Sequence, residues 1–447
     1  MQLYRFGMVL LIIVLVISVT GQDFDYESAA AGNPLIPGYF ADPSIVRMNK
    51  KFYIYATTVS KYMEPVVWVS EDLKHWEVHH LGITGEHRFW APSVLKGRDG
   101  RYYLYYSSGF DFKCHLYIGE SPLGPFKKYG KVEDGFDLQI FQDPVTGKVY
   151  GISSNPESRP RLVEFNSDPE SADYLKNVIR VIGEPQGSFF DYTEGSMLLY
   201  RNGWYYLMYS GGKCGDVTYR IHYAKSRNIE GPYINAPDNP ILKWMPEKDV
   251  FGPGHHSVLQ LDDEYFICYH RQDKWAAPTC SERQVCVDKL EFDEQGWIKP
   301  VIPTHRGVDF TAYVDEKEHA LRNLAFQKMV TSSGNLVHHE PADAVDENFA
   351  TFWQAGGSGH LSVDLENVYS IQKVQPFWGH YDYFILYKIE YSTDNRTWKV
   401  LVDRSVKAQL AAASVQHERI DARYIRVNVI RGGGAAATLY ELKVWGN

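Results

Sequence analysis

The stretch Ala41-Asp42-Pro43-Ser44-Ile45-Val46 decides the reading of this chain, because its pattern returns four more times at blade-sized intervals. The returns are Ala91-Pro92-Ser93-Val94, Asp137-Leu138-Gln139-Ile140, Glu194-Gly195-Ser196-Met197 and His255-His256-Ser257-Val258. Each leads through a polar turn into an aromatic-rich strand. These second strands run from Phe52 to Tyr55, Tyr102 to Tyr106, Val149 to Ile152, Trp204 to Tyr209 and Tyr265 to Tyr269. Turn residues such as Arg98-Asp99-Gly100 and Asn202-Gly203, set between two short strands, specify a hairpin each time. Further strands follow in Val67 to Ser70, Leu116 to Gly119 and Ile221 to Ala224, so each repeat holds about four. Five four-stranded units in sequence predict an all-β, five-bladed β-propeller around a central channel.

The phase of the repeat points to function. Aligning Ser44, Ser93, Gln139, Ser196 and Ser257 puts Asp42, Ala91, Asp137, Glu194 and His255 at one position, the start of the first strand. In a propeller those starts surround the channel, so three carboxylates and a histidine are expected to converge there. Two carboxylates across a pocket hydrolyse a glycosidic bond when one stays protonated and the other ionised, and a third nearby helps hold the acid's proton. Singly, these residues have plainer readings. An Asp before Pro is a turn residue, and His255 and His256 read equally as core histidines.

Composition narrows the class. At 447 residues the chain has room for two domains. The 15% aromatic share favours strands and supplies flat faces on which sugar rings stack. A net charge of -9 without a basic run lacks the electrostatic footprint of a nucleic-acid binder. Arg5, the apolar run Val9 to Val19 and the small residues to Gly21 have the layout of a secretory signal peptide (1–21), with no later integral membrane span, so the protein is expected to be secreted or periplasmic. The five scattered cysteines read mostly as buried thiols, with Cys280 and Cys286 close enough to close one small loop.

The propeller is assigned to 22–304, with a connector over 305–322. From Asn323 the composition changes, through Thr351-Phe352-Trp353, Leu361 to Leu365, Tyr387 to Asp394 and Ala422 to Val427, to the terminal Leu439 to Trp445. Alternating strands and turns over 323–447 predict a β-sandwich. This region resembles the discoidin or coagulation factor 5/8 type C domain, a jelly roll also found as carbohydrate-binding module family 32. The resemblance implies glycan binding or bracing of the neighbouring domain. Trp378, His380, Tyr381 and Tyr383 offer a loop cluster of aromatics for either role.

Residues 33 to about 303 resemble glycoside hydrolase family 43, five-bladed inverting glycosidases. The likeness is carried by Ala41-Asp42-Pro43-Ser44, Phe89-Trp90-Ala91-Pro92-Ser93-Val94, Thr193-Glu194-Gly195-Ser196 and Gly252-Pro253-Gly254-His255-His256-Ser257-Val258. It implies Asp42 as general base, Glu194 as general acid and Asp137 as the residue that tunes the acid. It implies His255 beside a central calcium ion or water, Trp90 in the subsite wall and Arg283 as a polar sugar contact; the plainer readings are core filler for Trp90 and a salt bridge for Arg283. The third carboxylate of the family is usually followed by Pro. Here Asp137 precedes Leu138, and the nearby Asp143-Pro144 is placed in a hairpin turn. The reading is an exo-acting hydrolase of a carbohydrate substrate, with α-L-arabinofuranose as first expectation, β-D-xylose second and galactose-type sugars third. The competing class is a non-catalytic glycan-binding protein.

Overall fold

A computed structural model describes residues 32–58, 65–83, 88–109, 111–132, 136–154, 159–165, 178–180, 182–185, 188–272, 280, 282–313, 321–379, 385–406, 415–432 and 437–447. The signal-peptide expectation for 1–21 lies outside these residues, as do His380, Tyr381 and Tyr383 of the aromatic cluster.

Five antiparallel sheets follow one another along the chain. Blade one is β1 (Ala41–Met48), β2 (Lys51–Thr57), β3 (Val66–Ser70) and β4 (Trp76–His80). Blade two is β5 (Phe89–Lys96), β6 (Tyr102–Ser108), β7 (Cys114–Gly119) and β8 (Lys127–Val132). Blade three is β9 (Phe136–Gln142), β10 (Val149–Ser154), β11 (Pro160–Glu164) and β12 (Val178–Arg180). Blade four is β13 (Tyr192–Arg201), β14 (Trp204–Gly211), β15 (Arg220–Ser226) and β16 (Ile234–Asn235). Blade five has three strands, β17 (Phe251–Leu261), β18 (Glu264–Gln272) and β19 (Arg283–Leu290). The second strands are buried almost throughout, because neighbouring blades cover both faces; hence the unbroken Phe-Tyr-Ile-Tyr and Tyr-Tyr-Leu-Tyr runs. The outer strands β4 and β8 are more exposed and more polar.

The open edge of blade five is covered from the other end of the domain by residues that form no strand of their own. The Leu35 amide donates to the Val285 carbonyl at 2.8 Å. The buried Asn33 side chain accepts from the Val287 amide at 2.7 Å and donates to the Val287 and Thr304 carbonyls at 2.9 Å each. Residues 33–35 thus satisfy the open edge of β19 and close the ring. Beyond Leu290 the chain makes one isolated bridge, Phe292 with Ile298.

The same bulge recurs in every innermost strand. Ala41, Trp90, Phe136, Glu194 and Gly254 pair with Thr57, Ser107, Ser154, Ser210 and His270; three residues on, pairing resumes only two residues back on the partner. The residue after each of those five is left-handed: Asp42, Ala91, Asp137, Gly195 and His255, at φ 49°, 43°, 50°, 62° and 40°. Such a bulge interrupts the ladder and re-aims the backbone. The alignment on Ser196 is therefore corrected by one residue. Met197 is the counterpart of Ser44, Gly195 holds the ring position, and Glu194 stands one residue ahead, where Trp90 and Phe136 stand.

Hydrogen bonds lock the ring between blades. Ala91, Asp137 and His255 donate their amides to the hydroxyls of Thr57, Ser107 and Ser210 at 2.8, 2.7 and 2.8 Å. The Asp42 amide closes the circuit on His270 Nδ1 at 3.1 Å. At the seam of blades three and four Ser154 instead accepts from the Tyr192 hydroxyl, at 2.9 Å.

Residues 305–313 pack rather than dangle, since Phe310 and Tyr313 lie 5.2 and 5.1 Å from the Phe266 ring. The β-sandwich comprises β20 (Arg322–Asn323), β21 (Met329–Ser332), β22 (Trp353–Gln354), β23 (Gly359–Trp378), β24 (Ile385–Ser392), β25 (Lys399–Asp403), β26 (Val415–Gly432) and β27 (Thr438–Gly446). Its Phe349, Phe352, Phe377 and Tyr440 join one core with Trp68, Trp76 and Phe266 of the propeller. Phe377 stacks on Trp68 at 6.3 Å, and Lys373 pairs with Glu77. Trp378 ends β23, buried against Tyr387, which corrects its placement in a loop cluster.

Candidate active site

The bulges aim side chains of different blades at one end of the channel. Asp42 is nearly buried and carries a dense set of partners: Arg283 Nη1 at 2.9 Å and Nδ1 of His255 and of His270 at 3.3 Å from Oδ1, with the Thr57 hydroxyl donating to Oδ2. Burial alone would raise its pKa, but the Arg283 guanidinium and the two imidazoles outweigh it and hold Asp42 well below the usual carboxylate range. Asp137 behaves oppositely. Burial, then the charges of Glu194 and Asp42, push its pKa well above the ordinary value. Carboxylate oxygens of Asp137 and Glu194 and a ring nitrogen of His255 all lie within 4.8 Å of one another.

Glu194 takes its orientation from Tyr219, whose hydroxyl donates to Oε1 at 2.9 Å. Burial, with Glu194 and Asp42 nearby, raises the phenol's pKa well above normal, so Tyr219 keeps the proton it donates. The Tyr219 ring stacks on His270 at 5.5 Å and fills the space over Gly254, where a Cβ would lie 2.1 Å from it. Gly254 is thus required by close approach rather than by its dihedrals.

Trp90 is half-buried, opposite Ser107 on the rim of the ring. Arg283 is buried, with Nη1 on Asp42 and Nε on the Cys280 carbonyl at 2.8 Å, which is the salt-bridge reading of that residue. Asp143 sits in the β9–β10 turn, where it accepts from the Val145 amide and the Tyr205 hydroxyl, each at 3.0 Å. Cys280 bonds Cys214, not Cys286, which is a buried free thiol; the bridge ties the loop before β19 to the one after β14. A cavity on the axis is lined by Asp42, Asp137, Gln139, His255 and His256, among others. There Gln139 Oε1 and both ring nitrogens of His256 are buried without partners.

Three residues of the site, Thr57, Tyr219 and His270, were not singled out in the sequence. His270 had a signal, since His270-Arg271-Gln272 ends an otherwise apolar central strand. Tyr219, among many tyrosines, had none.

A family model for glycosyl hydrolases family 43 matches residues 31–298. The chain belongs to that family. A second model, the F5/8 type C domain, matches residues 329–442 of this family 43 glycoside hydrolase. A beta-D-galactofuranosidase of Aspergillus niger is 32% identical over 63% of the chain and 88% of its own length. Xylosidase/arabinosidase 43B of Humicola insolens is 26% identical over 80% of the chain and 75% of its own length. Among solved structures, a glycoside hydrolase superposes with a TM-score of 0.76 at 25% identity, over 93% of the chain and all of its own. A thermostable family 43 glycoside hydrolase gives 0.52 at 27% identity, over 62% of the chain and 97% of its own.

Proposed function

We propose that this family 43 enzyme removes terminal furanosyl units from polysaccharide or glycan side chains with inversion, with α-L-arabinofuranose as the primary sugar. The observation that carries the reading is the opposed setting of the carboxylates: one pinned as an anion by Arg283, others crowded beside it. The names of the Aspergillus and Humicola relatives support keeping galactofuranose and xylose, beside arabinose, among the candidates. β-D-Galactofuranose shares its ring configuration with α-L-arabinofuranose and carries one additional exocyclic carbon.

In the mechanism, Asp42 is the base. A carboxylate has about four lone-pair sites; Oδ1 accepts from Arg283 and faces His255 Nδ1, and one site on Oδ2 accepts from Thr57, leaving the other for water. That water gives a proton to Asp42 as its oxygen attacks the anomeric carbon. Glu194, oriented by Tyr219, gives its proton to the departing glycosidic oxygen. Asp137, whose pKa burial and the neighbouring carboxylates raise, lies beside Glu194 and tunes the acid at close range. Products are the sugar of opposite anomeric configuration and a free alcohol. His255 and Trp90 border the reacting sugar, and Arg283 serves it through Asp42.

A calcium ion on the axis is part of the proposal, because the buried Gln139 Oε1 beside the axial cavity is an oxygen ligand without a partner. Gln139 and His255 would hold it, and it would supply fixed positive charge beneath the site. Secretion is proposed from the apolar amino-terminal run and the Cys214–Cys280 disulfide. The sandwich is proposed to bind glycan as well as brace the propeller. Among the described residues no helix is long and apolar enough to cross a membrane.

Sugar release from a panel of arabinofuranosides, galactofuranosides and xylosides tests the reading. Furanosides should be cleaved from their non-reducing ends; no release from any member would return the protein to the glycan-binding class.

A further inference from the structure

Phe112 is the most conspicuous side chain at the rim of the site that the mechanism does not use. It lies on the turn between β6 and β7, is 60% exposed, and holds φ at 52°, a conformation that a bulky side chain without a polar group seldom adopts. The turn is built to impose it. The Phe112 amide donates to the Ser108 carbonyl at 3.0 Å and the Ser108 amide to the Lys113 carbonyl at 2.8 Å. Asp111 Oδ1 accepts from the Lys113 amide at 3.2 Å and lies 3.1 Å from Nε2 of the buried His115, while Lys131 pairs with its other oxygen.

The ring so displayed lies 5.9 Å from Trp90 and 6.1 Å from Phe136. Those two hold the bulge position that Glu194 holds in blade four, each immediately before a ring residue, Ala91 and Asp137. Trp90 and Phe136 therefore border the reacting sugar, and Phe112 stands outside them.

From this arrangement we infer that Phe112 is a specificity-determining residue that stacks on the neutral sugar ring on the leaving-group side of the scissile bond. An aromatic face matches the C–H face of a sugar ring, and the charge of Asp111 is already committed to Lys131 and His115. The strain at Phe112 is what a binding platform held in place by its own turn carries. A mere cover for Trp90 and Phe136 would not need it. The inference rests on the glycosidase reading above.

The test compares wild type, Phe112→Gly and Phe112→Tyr on an oligosaccharide ending in the released sugar, with inhibition by the free sugar and thermal stability as further readouts. Phe112→Gly should lose about tenfold in kcat/KM, carried by KM, consistent with the stacking energy of one aromatic face. Inhibition by the free sugar should not change, Tm should hold or rise as strain is released, and Phe112→Tyr should restore activity. Unchanged kcat/KM in Phe112→Gly, parallel weakening of free-sugar inhibition, or a fall in Tm would each overturn the inference while leaving the glycosidase reading intact. A wild type that releases no sugar overturns that reading and this inference with it.

Discussion

Gly195, not Glu194, is the structural counterpart of Asp42: both are the left-handed residue of their blade's bulge, at φ 62° and 49°. Asp42 thus projects from the ring itself, and Glu194 from the position one residue ahead. That offset sets two carboxylates of a near-repeating scaffold in different surroundings. Asp42 meets Arg283, His255 and His270; Glu194 meets Tyr219, beside Asp137.

Gly195 itself is under constraint, because its φ is left-handed and an added Cβ would lie 3.0 Å from the His255 ring. Gly195→Val should cost about 1–3 kcal/mol of stability and disturb His255. Chemical denaturation and kcat measured on the same sample check this. A variant of wild-type stability and activity would show that the bulge tolerates a side chain.

The Arg283 guanidinium lies 2.9 Å from Asp42 and helps hold its pKa down, so Arg283→Gln should raise the pKa of the proposed base. Asp42 is depressed in the folded protein; its ionised form therefore favours folding above the unfolded pKa, and that stability is lost as pH falls through the lower folded value. Without Arg283 the acid limb of kcat/KM should move to higher pH, and stability near neutrality should fall by roughly 3–5 kcal/mol as a buried charge loses its partner. A pH profile identical to wild type would remove Arg283 from the base's electrostatics.

Ring closure depends on Asn33, whose side chain bonds the backbone at Val287 and Thr304. Asn33→Ala leaves buried groups on β19 unsatisfied, at about 1–3 kcal/mol for each such group. Urea unfolding should show a lower midpoint with little change in slope. An unchanged midpoint would mean that the apolar packing of Leu35 and Ile36 closes the ring unaided.

Chelation tests the proposed axial calcium. Treatment with EDTA should lower both activity and Tm, and added calcium should restore them. Full activity after exhaustive chelation would assign water to the partnerless Gln139 and His256 atoms.

The five-blade architecture was legible because each hairpin announces itself twice, in its turn residues and in an apolar second strand covered on both faces. The phase of blade four was not. Ser196 imitates Ser44, Ser93 and Ser257 in sequence, whereas the true phase follows the left-handed residue, and in blade four that residue is a glycine that could belong to any turn. Closure by residues 33–35 and the Cys214–Cys280 bridge join segments far apart in the chain, and no local pattern records such pairings. Likewise Tyr219 and Thr57 reach the carboxylates only through the stacking of blades.

The central claim, that Asp42 directs water while Glu194 protonates the leaving group, is tested most directly by proton NMR of the first-formed sugar. Wild type acting on an α-L-arabinofuranoside should release the β anomer before mutarotation; Asp42→Asn should release almost none, while Glu194→Gln should recover turnover on an aryl glycoside with a good leaving group. Initial release of the α anomer, which requires a nucleophile and a covalent intermediate, would contradict the account.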